Sequence, residues 1–207
     1  LLGAVQSGLS SAAQNPLQAG GLGALAGALL GGGGDSIKGA LGGGAMAMLA
    51  GVAAKALMNG GQASGGANAF SGGAAPIGLK APESAAEAEY LDKTANLAVR
   101  AMVNAAKSDG EIDQQEMQRI IDKLKEAGAD ADARSWVLAE LGKPLDLDGL
   151  VTDVPNLEAA AEVYAASLLA IEVDTPEERD YLRQLAARTG LNQAVVQYIH
   201  QSMGVPA

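Results

Sequence analysis

Glycine is confined to one end of this chain, and that segregation limits what the sequence can build. The first 80 residues hold 22 glycines and 19 alanines, whereas the rest of the 207 residues hold only six glycines. Charge divides the opposite way. Residues 1–80 carry only Asp35, Lys38, Lys55 and Lys80, while residues 81–207 carry 23 acidic and 11 basic side chains, a net of −12. A glycine-rich segment loses much backbone entropy on ordering and offers little side-chain volume for a core. Disordered segments, however, are usually polar and charged, and no charge precedes Asp35 here.

The small residues keep a helical spacing. Ala19, Gly23, Gly27 and Gly31 recur every fourth position, and so do Gly39, Gly43, Ala47 and Gly51, with leucines and methionines between them. Such small-xxx-small stripes let two helix backbones approach closely. Gly31 to Gly34 followed by Asp35 and Ser36 reads as the turn between two arms. Residues 17–57 therefore read as a helical hairpin, within a glycine-zipper segment spanning 1–58. Its stripe residues Gly23, Gly27, Gly31, Gly39, Gly43 and Gly51 are the candidates for self-association. An arm of about 18–20 residues would reach roughly 27–30 Å, close to the hydrocarbon thickness of a bilayer. Lys55, near the end of the second arm, is placed to snorkel to headgroups. With no basic n-region before the apolar stretch, a cleaved secretory signal is not expected. Residues 59–82, rich in Gly, Ala, Ser and Asn, read as a flexible linker.

From residue 83 the pattern becomes clearly helical. Leu91, Ala95, Ala98, Met102 and Ala105 mark a first long helix, and Met117, Ile120, Ile121 and Leu124 a second. Trp136, Val137, Leu138 and Leu141 mark a third, a short one covers 146–153, and Leu157, Ala161, Tyr164, Leu168 and Ile171 line the next. Leu182, Leu185 and Ala186 lie on a sixth that ends near Gly190, and Val195, Ile199 and Met203 on the last. No run alternates like a strand. The expected fold class is all-α, an N-terminal hairpin followed by an acidic helical domain over 83–207 that stands alone as a soluble monomer.

An internal echo is the most specific feature. Glu111-Ile112-Asp113-x-x-Glu116 returns 61 residues later as Glu172-Val173-Asp174-x-x-Glu177, with helices on both sides each time. Asp113 with Glu116, and Thr175-Pro176 with Glu178, have the form of capping boxes that start helices. The same carboxylates also suit a hard cation such as Ca²⁺ or Mg²⁺, or a basic partner. The run from Asp109 to Asp113 lacks the later glycine and the twelfth-position glutamate of an EF-hand.

Residues 96–203 resemble a TerB-like domain of the tellurite-resistance superfamily, carried by Ala105-Ala106-Lys107-Ser108-Asp109-Gly110-Glu111-Ile112-Asp113-x-x-Glu116 and by the later Glu172-Val173-Asp174-x-x-Glu177. With its Gly/Ala-rich start, the whole chain is similar to the YebE-like inner-membrane family, whose domain has no known function. The resemblance implies a helical bundle, a bacterial envelope setting and a stress-linked role. It also implies a cation or interaction site at Asp109, Asp113, Glu116, Asp174 and Glu177. The second copy departs from the first in having Ile171 where the first has Gly110.

Other chemistry is poorly provided for. There is no cysteine, and His200 is the only histidine, so Cys-ligated metals, thiol nucleophiles and histidine-clustered metals are excluded. His200 and Ser202, on the terminal helix, are expected at the surface. Tyr90, Trp136, Tyr164, Tyr181 and Tyr198 are expected at core or boundary positions. Gly31 to Gly34 lacks the Gly-Lys-Ser/Thr ending of a phosphate loop. A net of −12 repels nucleic-acid phosphates. The expectation is a non-enzyme with no required cofactor, held at the bacterial inner membrane by its hairpin. Its acidic domain, on the cytoplasmic side, engages a basic protein partner or a cation. The alternative is a soluble homo-oligomer packed through the glycine-rich segment.

Overall fold

The computed structural model describes residues 46–62, 85–110, 131–171 and 173–205, together with Ile112, Gln114, Met117 and Gln118. Regular structure among the described residues is entirely helical: α1 (Met46–Asn59), α2 (Ala85–Ala106), α3 (Ala131–Leu141), α4 (Leu147–Asp153), α5 (Leu157–Ala170), α6 (Pro176–Thr189) and α7 (Gln193–Met203). Six of these fall where the apolar spacing places them. The helix expected around Met117–Leu124 lies largely outside the described residues, as do the first hairpin arm and the stripe residues Gly23, Gly27, Gly31, Gly39 and Gly43.

α5 is the axis of the bundle. Eleven of its 14 residues are buried, which is what an all-round apolar helix requires. Its six alanines let neighbouring helices come close on every side. α2, α1, α6 and α7 all pack against it. Two contacts fix the direction of α2 relative to α5: Asn156 Nδ2 lies 3.5 Å from the Tyr90 hydroxyl, and Ser167 Oγ lies 3.4 Å from the Ala101 carbonyl. Both pairs are 66 residues apart in sequence, so the two helices run parallel and in register. Tyr181 of α6 joins the second contact by donating to the same Ala101 carbonyl at 3.2 Å. The buried ends of Ser167 and Tyr181 therefore find partners inside the core, as buried hydroxyls must.

The second hairpin arm behaves differently from a detached element. Leu49, Ala53, Ala56 and Leu57 of α1 are at most 4% exposed and belong to the same apolar core as α2, α5, α6 and α7. α1 packs on α5 and α7. It ends in a Schellman turn, with Gly61 at φ 69° and the Gln62 N–H bonded to the Leu57 carbonyl at 3.0 Å. The segment beyond is then latched to the α6–α7 turn. The Gln62 amide donates to the Gly190 carbonyl and accepts from the Asn192 N–H, both at 2.7 Å. Asn192 Nδ2 in turn donates to the Gly60 carbonyl at 2.8 Å. Gly60 permits the approach: a Cβ there would stand 2.3 Å from Val195 Cγ2 and 2.8 Å from the Val195 nitrogen. The first four positions of the expected 59–82 linker are thus fixed structure. A sequence reading cannot see this, because the partners lie about 130 residues away.

The histidine is also placed differently from the expectation. His200 is buried, and its Nε2 lies 2.9 Å from the Tyr164 hydroxyl. The ring fills the α5–α7 contact instead of facing solvent. Tyr164 and Tyr181 are core residues, and Trp136 and Tyr198 pack against the core from its edge.

Candidate functional site

An open cleft of about 690 Å³ lies where the end of α2, the start of α4 and one face of α6 converge. The C-terminal end of α2 organises one wall. Asn104 clamps the entry to α4, donating to the Asp146 carbonyl at 3.0 Å and accepting from the Asp146 N–H at 3.3 Å. Lys107 donates to the Glu140 carbonyl at 3.1 Å and also to that of Lys143, neutralising the carbonyl end of α3. The α3–α4 connection is therefore tied to α2, and Asp146 starts α4 as its N-cap by accepting from the Gly149 N–H at 2.8 Å.

The opposite wall is α6, whose start is over-determined. Thr175 and Glu178 form the expected capping box, with Pro176 in the first turn. The buried Glu178 carboxylate accepts from the Asp174 and Thr175 N–H groups, both at 3.0 Å, and from the Thr175 hydroxyl at 2.9 Å. Arg179 donates to the carbonyls of Val173 and Asp174. These bonds hold Val173 at φ 56°, a left-handed conformation costly for a β-branched residue. From this first turn onward, α6 presents Glu177, Asp180, Gln184 and Arg188 to the cleft.

The cleft is strongly acidic. Among the described residues, Asp146, Asp148, Glu177 and Asp180 line it against Arg188 alone. Arg188 is ion-paired with Asp148 across the opening, and Asp180 with Arg183 on its own helix. Gln184 donates to Asp180 at 2.5 Å. Ser108, from the turn after α2, lies on the rim. The end of α2 and the helix following the second acidic turn thus meet at a single site. The wall residues Leu145, Leu147, Pro176 and Tyr181 give it an apolar floor. Leu145 is 41% exposed, one of three large hydrophobic side chains open to solvent among the described residues. Carboxylates around an apolar strip suit a lysine- or arginine-bearing segment, whose methylenes cover the strip while its cations meet the acids.

Of the residues singled out in the sequence, only one lines this site among the described residues. Glu177 lines the cleft. Asp109 and Asp174 are exposed beside it, outside the lining. Asp113 and Glu116 lie outside the described residues. Among the described residues, no three acidic or histidine side chains come close enough to hold a metal ion. Asp146, Asp148, Asp180 and Arg188 were not singled out from sequence. Their only signal there is the acidic pair flanking Leu147, and an acid and an arginine two turns apart on one helix.

A second group of acids sits apart, at the start of α5. Glu162 is 2% exposed, and burial followed by the neighbouring Glu158 carboxylate pushes its pKa up to about 8. Burial also raises Glu158. Tyr90, close to both, is raised chiefly by burial, with the two carboxylates adding to it.

Comparison with known proteins gives relatives without an assigned role. A protein of Yersinia enterocolitica described as "Uncharacterized protein in ampR 5'region" is 33% identical over 122 residues, covering 59% of this chain and 88% of that protein. No solved structure matches the chain. The family model for "Protein of unknown function (DUF533)" matches residues 12–203. With nearly its whole length matched, the chain belongs to the DUF533 family.

Proposed function

We propose that this protein is a non-enzymatic, membrane-associated adaptor. Its glycine-rich half anchors it at the bacterial inner membrane, and its acidic cleft docks a basic segment of a partner protein on the cytoplasmic side. The observation that carries the reading is the convergence of Asp146, Asp148, Glu177 and Asp180 on one open cleft, with Arg188 the only cation among its described lining residues. Fold kinship of the C-terminal helices with TerB-like domains, and a role in envelope stress, belong to the same proposal. It rests on the Ser108-Asp109-Gly110-Glu111-Ile112-Asp113 run and its echo.

The test is binding of lysine- and arginine-rich peptides to the full chain, followed by fluorescence anisotropy across a salt series. Affinity should fall steeply with salt, and Glu177→Gln with Asp180→Asn should weaken binding at least fivefold. An acidic control peptide should not bind. Equal affinity in the variants, or binding indifferent to salt, overturns the cleft as a basic-segment site.

A further inference from the structure

Among the described residues, the outward face of α1 is left unpaired by the bundle. At 100° per residue, the core side chains Leu49, Ala53, Ala56 and Leu57 occupy one side of this helix. Met48, Gly51, Lys55, Met58 and Asn59 fall together on an arc of about 100° facing away, with Val52 at its edge packed against the core. The exposures follow that division: Met48 is 50% and Met58 59% exposed, whereas Leu49 is 1% and Leu57 4%. Val52 is partly buried and Lys55 is exposed. The two methionines stand about 15 Å apart along the helix, with the lysine between them. Lys55 is the single charge in the whole of α1.

We propose that this face is a lipid-docking surface, on which α1 rests at the headgroup–acyl boundary of an anionic bilayer. The inference deepens the membrane reading above and rests on it. Charge is the first argument. The rest of the described protein is acidic and would be repelled by anionic lipid, whereas this face carries a lone cation and no acid. A lysine between methionines suits that boundary, its methylenes in the apolar layer and its ammonium at the phosphates. Continuity is the second. The 45 residues preceding α1 contain only Asp35 and Lys38 as charges, so the chain enters this helix from a segment of the same uncharged character. A second copy of the chain is the less suitable occupant. Two-fold pairing of this face would bring the two Lys55 ammonium groups together near the axis, with no acid on the face to offset them. No described helix is long and apolar enough to cross a membrane, so docking of α1 is in the plane of the interface.

The chain has no cysteine, so single thiol probes can be placed cleanly. Full-length Met48→Cys, Met58→Cys and, as a control on α3, Ala139→Cys would carry an environment-sensitive dye. They would be mixed with phosphatidylcholine vesicles with or without phosphatidylglycerol, some containing brominated lipid. The expected result is flotation with the anionic vesicles, a blue shift and quenching by brominated lipid at 48 and 58, and neither at 139. Lys55→Glu should weaken partitioning onto anionic vesicles by roughly an order of magnitude. Flotation with probes 48 and 58 still in water overturns this inference and leaves an upstream anchor standing. Absence of flotation overturns both readings. A concentration-dependent shift at 48 and 58 without vesicles assigns the face to a second copy and likewise overturns the proposal.

Discussion

Glu162→Gln is expected to stabilise the protein at neutral pH and to leave it unchanged in mild acid. Glu162 is 2% exposed on the central helix, and its folded pKa is about 8 against an ordinary 4.5. The first cause is loss of solvent around the carboxylate, and the second is repulsion from Glu158 one turn away. A folded pKa above the unfolded one means that the native state holds a proton the unfolded chain has released. Stability is therefore full below pH 4.5 and declines as pH rises towards 8. At about 1.4 kcal/mol per pH unit, the wild type loses about 3 kcal/mol between pH 4.5 and 7. Glutamine has nearly the same shape and cannot ionise, so the variant escapes that loss. For a chain of this size, about 3 kcal/mol corresponds to a Tm higher by roughly 6–12 °C at pH 7, with the two curves converging near pH 4.5. Thermal melts of both proteins in a buffer series from pH 4.5 to 8.5 provide the assay. Parallel curves for the two proteins across that range would refute the reasoning, because they would show that Glu162 does not take up its proton on folding.

Three further outcomes are expected from the helix contacts. Gly60→Ala drives a Cβ to within 2.3 Å of Val195 Cγ2 and 2.8 Å of its backbone nitrogen, so it should cost about 1–3 kcal/mol; an unchanged urea midpoint would count against the close α1–α7 approach. Thr175→Ala removes the N-cap of α6 and half of its capping box, and should lower stability by about 1 kcal/mol, read as a shifted denaturation midpoint with unchanged slope. A fragment beginning at residue 83 should be poorly folded or associate, whereas one beginning at residue 46 should melt cooperatively. The shorter fragment loses Leu49 and Leu57, whose burial contributes about 5 kcal/mol, comparable to the entire stability of many domains. Circular dichroism melts and light scattering of the two fragments decide this.

Helix positions were legible in the sequence because each helix writes its own signals locally. The apolar spacing of Leu157, Ala161, Tyr164 and Leu168 marks α5, Thr175-Pro176 with Glu178 starts α6, and Gly190 ends it. What was not legible is which helices share a core. Alanines at 53 and 56 look the same whether they meet a lipid, another arm or α5, since a small residue specifies close approach and not its partner. The Gln62 latch and the His200–Tyr164 contact depend on partners 128 and 36 residues away, beyond any periodic pattern. The cleft was half visible. The repeated acidic motif pointed to Glu177, and the capping reading of Thr175 and Glu178 describes their geometry. Asp146 and Asp148 enter because Asn104 and Lys107 pin the α3–α4 connection against α2, and Arg188 pairs with Asp148 from α6.

The latch at Gly60–Gln62 changes what holds the two halves of the chain together. Because α1 packs on helices that lie far downstream, it is held to them by that packing and by the latch, besides the peptide chain linking residues 62 and 85. A protease cut in that stretch would leave a nicked protein whose two pieces remain assembled through Leu49, Leu57 and the Asn192 clamp. Whatever pulls on the N-terminal half through α1 also pulls on the α5–α7 core and the α6–α7 turn. Tension applied at the glycine-rich end would therefore be delivered directly to the helix that carries one wall of the acidic cleft.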